Sequence, residues 1–167
     1  MKRAVKGFTL VELIVVIAII GVLMAILIPN LIAYINDARQ TNANSAARLV
    51  YTSANGYITK VKIAGIAAPT NQSMGFSILD NATIQDNFDG DTQFSDSKFN
   101  NTMSVYLGDL AKGSRYQVYF NGTGNVAATL WAASENSNIV GSYPEPRSSS
   151  EIGNGSIRTL RAQDYVN

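Results

Sequence analysis

The chain has 167 residues and a formal net charge of +1; it contains neither Cys nor His. Lacking His, it has neither the usual general base nor the commonest metal ligand, and lacking Cys it can form no disulfide or thiolate site. The near-neutral balance gives no strong nucleic-acid signal, and the length suits one ordinary domain.

Lys2, Arg3 and Lys6 precede Phe8, and the stretch from Phe8 to Ile28 carries a single charge, Glu12. This stretch has about the length that a bilayer requires of a helix. The basic start keeps the N-terminus cytoplasmic by the positive-inside rule. A lone carboxylate in such a helix is costly unless it finds a partner or snorkels back to the headgroups. A secretory signal peptide is one reading, but no small-residue cleavage site follows the apolar run and the helical pattern continues past Pro29. A plain signal anchor leaves Gly7-Phe8 and Glu12 unexplained. A third reading is cleavage on the cytoplasmic side of the apolar run, after Gly7. It removes three basic residues, taking the net charge from +1 to 1 − 3 = −2.

The segment Gly7-Phe8-Thr9-Leu10-Val11-Glu12-Leu13, followed by the apolar run with Gly21 and then Pro29, resembles the class III signal of type IV prepilins and related pseudopilins. The strict resemblance ends near Asn30. It implies a leader, residues 1–7, removed between Gly7 and Phe8 by the prepilin peptidase, whose N-methyltransferase activity then methylates Phe8. Glycine suits that junction because a Cβ would obstruct an extended backbone in a protease cleft. The resemblance makes Glu12 the assembly residue, pairing with the Phe8 ammonium of a neighbouring subunit and so setting axial register. Gly21 and Pro29 become helix-weakening positions, between which the helix partly melts in a filament; an intact, kinked helix is the alternative. Expected partners are the chain itself as a helical homopolymer, other pilins, the membrane before assembly, an inner-membrane platform protein and an assembly ATPase. No cofactor is implied.

Residues 8–30 are thus expected to form the membrane and filament-core helix, and residues 31–62 its amphipathic continuation. Ala46, Val50, Ala54, Tyr57 and Val61 step by three or four along one face, and Asn42, Asn44, Arg48, Asn55 and Thr59 occupy the other. At 1.5 Å per residue the helix from Phe8 to Lys62 would run about 80 Å, the handle of a lollipop.

Residues 63–167 are expected to form a globular head. The Asn/Asp/Ser/Thr/Gly-rich stretch 65–102 reads as a long connection with short pieces such as Phe76–Leu79. Met103–Ala111 is ambiguous between strand and helix. Tyr116, Val118 and Phe120 alternate with Arg115, Gln117 and Tyr119; a turn follows at 121–125, and Val126–Ala133 completes a hairpin. Asn138–Tyr143 reads as a third strand, and 156–161 as another strand or a closing loop. The fold class is α+β, a long N-terminal helix kinked near Pro29 and packed on a C-terminal antiparallel sheet, as in pilins. Many Gram-negative pilins pin the C-terminal loop with a disulfide. This chain must hold its tail by packing and hydrogen bonds, and cysteine-free members from Gram-positive anaerobes offer a parallel.

Weaker signals have plainer readings. Asp86, Asp89, Asp91 and Asp96 crowd together as calcium candidates, but the spacing does not fit an EF-hand and a solvated acidic turn explains them. Asn-x-Ser/Thr triplets at Asn71, Asn81, Asn100, Asn121 and Asn154 read as turns and surface. Arg147, Arg158 and Arg161 read as a scattered solvated face rather than a phosphate-binding patch, and Trp131 as part of the sheet. No nucleophile–base constellation appears, so no enzyme is expected. The reading is a structural subunit of a type IV pilus: single-pass in the cytoplasmic membrane as precursor, then an extracellular filament for adhesion, motility or aggregation. The alternatives are a pseudopilin of a secretion or competence system and a membrane-anchored extracellular binding module.

Overall fold

The computed structural model describes residues 7–79, 82–85, 87–108, 110 and 112–166. The chain divides between Asn36 and Asp37 into two units. Helix α1, Leu10–Ile63, contributes to both. In the first unit α1 buries nothing of its own. In the second, its stripe Ala43, Ala46, Ala47, Val50, Ala54, Tyr57, Ile58 and Val61 is buried, which is the three-and-four periodicity of the sequence at work. The helical assignment runs unbroken through Pro29, where the missing N–H removes one ladder bond. One residue on, the Asn30 side chain donates to Ile26 O at 3.2 Å, an extra bond beside the defect.

The second unit is α+β. Strands β1 (Gln72–Ser77), β2 (Arg115–Phe120), β3 (Val126–Ala132) and β4 (Gly141–Tyr143) form one antiparallel sheet in the order β1-β2-β3-β4. β2 and β3 pair as the hairpin pattern predicts, Tyr116 opposite Trp131 and Val118 opposite Thr129, with an irregularity at Tyr119/Phe120. In the Asn121–Asn125 turn, Asn121 Oδ1 accepts from Thr123 N and Asn125 N, each at 3.0 Å, and from Thr123 Oγ1 at 2.7 Å.

The stretch 65–102 is not one long connection. It holds β1, which starts after Asn71 in the left-handed region (φ 51°) and ends before Leu79, and it holds the start of a helix α2, Asp96–Tyr106. Ser95 caps α2 by accepting from Lys98 N at 3.4 Å. Burial of Phe99, Thr102 and Met103 holds the helix in place despite its poor helix formers. This settles the ambiguous Met103–Ala111 as the end of a helix, although Asp109 and Ala111 lie outside the described residues. The third strand is shorter than the expected Asn138–Tyr143, because only Gly141–Tyr143 pairs with β3. Among the described residues the C-terminal stretch adds no strand. It turns at Ser156–Thr159 and closes with single 3-10 turns at Ser149–Glu151 and Ala162–Tyr165.

The main core lies where α1, α2 and the sheet meet. Phe99 and Tyr57 stand 5.2 Å apart at ring centroids, edge to face, with Phe88 and Phe94 also around Tyr57. A smaller cluster of Leu130, Ala132, Val140, Ile157 and Ala162 seats the C-terminal stretch.

Candidate functional site

Two features stand out: the exposed N-terminal segment, and the set of contacts that ties the C-terminal stretch to α1. In the first, every large apolar side chain from Leu10 to Ile35 is exposed, and Phe8 is 87% exposed. An 18-residue window of α1 has a mean hydropathy of 3.2 with none of it buried, so the helix is long and apolar enough to cross a membrane. Burying one such side chain is worth about 1.5–3 kcal/mol, so this surface calls for lipid or another apolar partner.

Gly7 and Phe8 precede the helix, and Glu12 sits in its first turn. Glu12 Oε2 accepts from Thr9 N and from Thr9 Oγ1, both at 2.8 Å, while Glu12 N donates to Thr9 Oγ1 at 3.3 Å. This is a capping box, with Thr9 before the helix and Glu12 at its third position. Glu12 therefore does a local job as well as being the one charge in the segment. Gly21 lies mid-helix with open space around its Cα.

The second feature lies within the Asp37–Asn167 unit. Asp37, Gln40 and Asn44 recur at three and four residues on one face of α1. The Ser149 hydroxyl donates to Asp37 Oδ1. Gln40 Nε2 donates to Val140 O at 2.8 Å and to Asn44 Oδ1 at 3.2 Å. Asn44 Nδ2 donates to Arg147 O at 2.7 Å, and Asn44 Oδ1 also accepts from Ser142 N at 3.1 Å. One turn further, Thr129 Oγ1 donates to Ala47 O at 2.7 Å. These bonds fasten residues 140–149 to the helix. Where the sequence pattern places Asn44 on the outward face with Asn42, the fold turns it onto residues 142 and 147, and Asp37 and Gln40, which that pattern does not single out, join it. The signal for this tie in the sequence is the polar 37/40/44 stripe.

Arg147 departs from the expected solvated face: it is buried at 4% exposure. Its Nη2 donates to Glu151 O at 2.8 Å, and its Nε lies 3.5 Å from Glu151 Oε1. Ser148 N donates to Glu151 Oε2 at 2.8 Å. That bond, helped by the Arg147 charge and opposed by partial burial, holds the Glu151 carboxyl below its ordinary range. Arg158 is paired with Glu135 at 3.3 Å, and Arg115 shares the same carboxylate at 3.5 Å, so Arg147 and Arg158 are engaged with different carboxylates and not with one another's site. Trp131 is half-buried in β3, its Nε1 donating to Ser114 Oγ at 3.2 Å.

Of the calcium candidates, Asp86 lies outside the described residues, and Asp91 is held by Lys98 Nζ at 2.5 Å. Among the described residues no three Asp, Glu, His or Cys side chains gather as a metal site.

Comparison with known proteins bears on the first feature above all. The model of the prokaryotic N-terminal methylation motif matches residues 2–28. The chain is 38% identical over 99 residues to a fimbrial protein of Pseudomonas aeruginosa, covering 53% of this chain and 64% of that one. It is 40% identical over 55 residues to the type IV major pilin protein PilA of Myxococcus xanthus, covering 33% of this chain and 25% of that one. With the type IV wide pilus major component PilA4 of Thermus thermophilus the identity is 59% over 39 residues, 23% of this chain and 30% of that one. The chain thus spans less than two thirds of the length of these curated relatives. No solved structure matches it. With the methylation motif on an exposed apolar helix and pilus proteins among its relatives, the chain is similar to type IV pilins, most specifically over its N-terminal segment.

Proposed function

We propose that the chain is a structural subunit of a type IV pilus. The observation that carries this reading is the exposed apolar segment from Leu10 to Ile35, entered through Gly7-Phe8 and bearing Glu12 as its one carboxylate. As a precursor it crosses the cytoplasmic membrane once, N-terminus inside, with residues 8–30 as the span. The prepilin peptidase removes residues 1–7 and methylates Phe8. A platform protein and an assembly ATPase then move the subunit from lipid into a filament, where residues 8–30 and the start of 31–62 pack against copies of themselves. Residues 63–167 face outward for adhesion, motility or aggregation.

Energetics supports the transfer. Leaving lipid for a packed helical core costs little, because both surroundings are apolar, and close packing adds dispersion and register. In that dry core Glu12 requires a cation, and the new Phe8 ammonium of a neighbour is the one that the maturation step creates. The named relatives are pilus components, which favours a pilus over a secretion pseudopilus.

Mass spectrometry of the N-terminus in sheared, sedimentable surface material tests the reading. A chain beginning at N-methylated Phe8 in that fraction is expected. An unprocessed Met1 start confined to membranes would overturn it.

A further inference from the structure

Asn–Gly pairs occur at Asn55-Gly56, Asn121-Gly122 and Asn154-Gly155. Glycine leaves the following backbone nitrogen unshielded, so each pair is chemically open to attack of that nitrogen on the asparagine side chain. The fold treats the three very differently. Asn55-Gly56 lies inside α1, where the backbone is held in the helical ladder and Asn55 Nδ2 donates to Tyr51 O at 3.1 Å. Asn121 Oδ1 accepts three hydrogen bonds that fix its side chain in the β2–β3 turn. Asn154 is exposed, and its carboxamide makes no hydrogen bond among the described residues. Gly155 N likewise donates to none of them, and Gly155 sits at φ 122°, a conformation that other residues rarely adopt.

We propose that Asn154 is a site of spontaneous deamidation in the folded protein. Gly155 N attacks Asn154 Cγ, a new N–C bond forms, and the Cγ–Nδ2 bond breaks. Ammonia leaves, carrying the proton lost from Gly155 N. Water then opens the cyclic imide at either carbonyl, giving Asp or isoaspartate, with no oxidant or reductant involved. The product adds a carboxylate three residues after Glu151 and four before Arg158 in the sequence. The isoaspartate form also adds a methylene to the backbone of a turn held by Asn154 N to Glu151 O at 3.0 Å and by Gly153 N to Asn138 O at 3.0 Å.

The test is peptide mapping of the full-length chain in detergent, aged at mildly alkaline pH in heavy-oxygen water, beside a sample aged in denaturant. In the folded chain the Asn154 peptide should take up heavy oxygen roughly tenfold or more faster than the Asn55 and Asn121 peptides. In denaturant the three should converge, because only the fold tells them apart. Equal rates in the folded chain, or an Asn154 peptide that stays intact while Asn121 converts, would overturn the proposal. An Asn154→Gln chain should lose the fast conversion and leave the other two unchanged.

Discussion

Gly141 of β4 lies directly against the backbone of Ala43 in α1, so close that a Cβ on Gly141 would fall inside the Ala43 carbonyl. The strand and helix touch main chain to main chain there, with Gln40 and Asn44 bonding on either side of the contact. Neither backbone can yield as a flexible side chain would. Gly141→Ala should therefore lower stability by about 3 kcal/mol, seen as a lower urea midpoint with little change in slope. A variant as stable as the parent would show that the approach is not tight.

Asn44 is the centre of the tie between α1 and the C-terminal stretch. Asn44→Ala leaves Ser142 N–H and the Arg147 carbonyl without their partner in a part-buried place, at about 2–4 kcal/mol for the two. Asn42→Ala, two residues away and exposed, should stay within about 0.5 kcal/mol. Comparing the two urea midpoints isolates the tie. Equal effects would argue that Asn44 contributes only as a helix residue.

The periodic parts of the fold were legible. The stripe Ala46–Val50–Ala54–Tyr57–Val61 is buried throughout, and the alternation of Tyr116, Val118 and Phe120 is the inward face of β2. What was missed lacks such a period. Helix α2 is short and built from Asp, Ser, Asn and Thr, and only the Ser95 cap and the Phe99–Met103 spacing mark it. The polar tie was misread because Asn44 looks like a surface residue until residues 140–149, about a hundred positions away, arrive beside it. Arg147 was misread for the same reason: its burial depends on a tertiary contact that no local pattern encodes. The apolar N-terminal helix was the most legible of all, since its length and its single charge are local.

Acid should loosen the C-terminal tie through Glu151. A carboxylate held below its ordinary range in the folded state adds stability that is present above the unfolded value and lost as pH falls through the folded one. Its stability contribution should thus fade below the usual carboxylate range, as the bond from Ser148 N and the Arg147 pairing weaken. Glu151→Gln should flatten that part of the acid limb in urea titrations run across pH. Parallel loss in parent and variant would assign the acid sensitivity to other groups.

Glu12 combines two jobs that one substitution can separate. Its carboxylate caps α1 through Thr9, and in the proposed filament it supplies the negative charge for a neighbour's Phe8 ammonium. Glu12→Ala removes both, and the cap alone is worth about 1 kcal/mol to the helix. Glu12→Gln keeps a side-chain oxygen that can accept from Thr9 N yet carries no charge. If charge pairing drives assembly, both variants should insert in the membrane and lose residues 1–7, yet give few sheared filaments, with Gln as deficient as Ala. If capping is the whole role, Gln should assemble like the parent and only Ala should fail. Gly7→Ala serves as the control for processing: its Cβ should obstruct the cleavage junction, and the full-length precursor should accumulate in the membrane fraction. Normal filaments from Glu12→Gln would remove the charge from the assembly model while leaving the apolar segment in place.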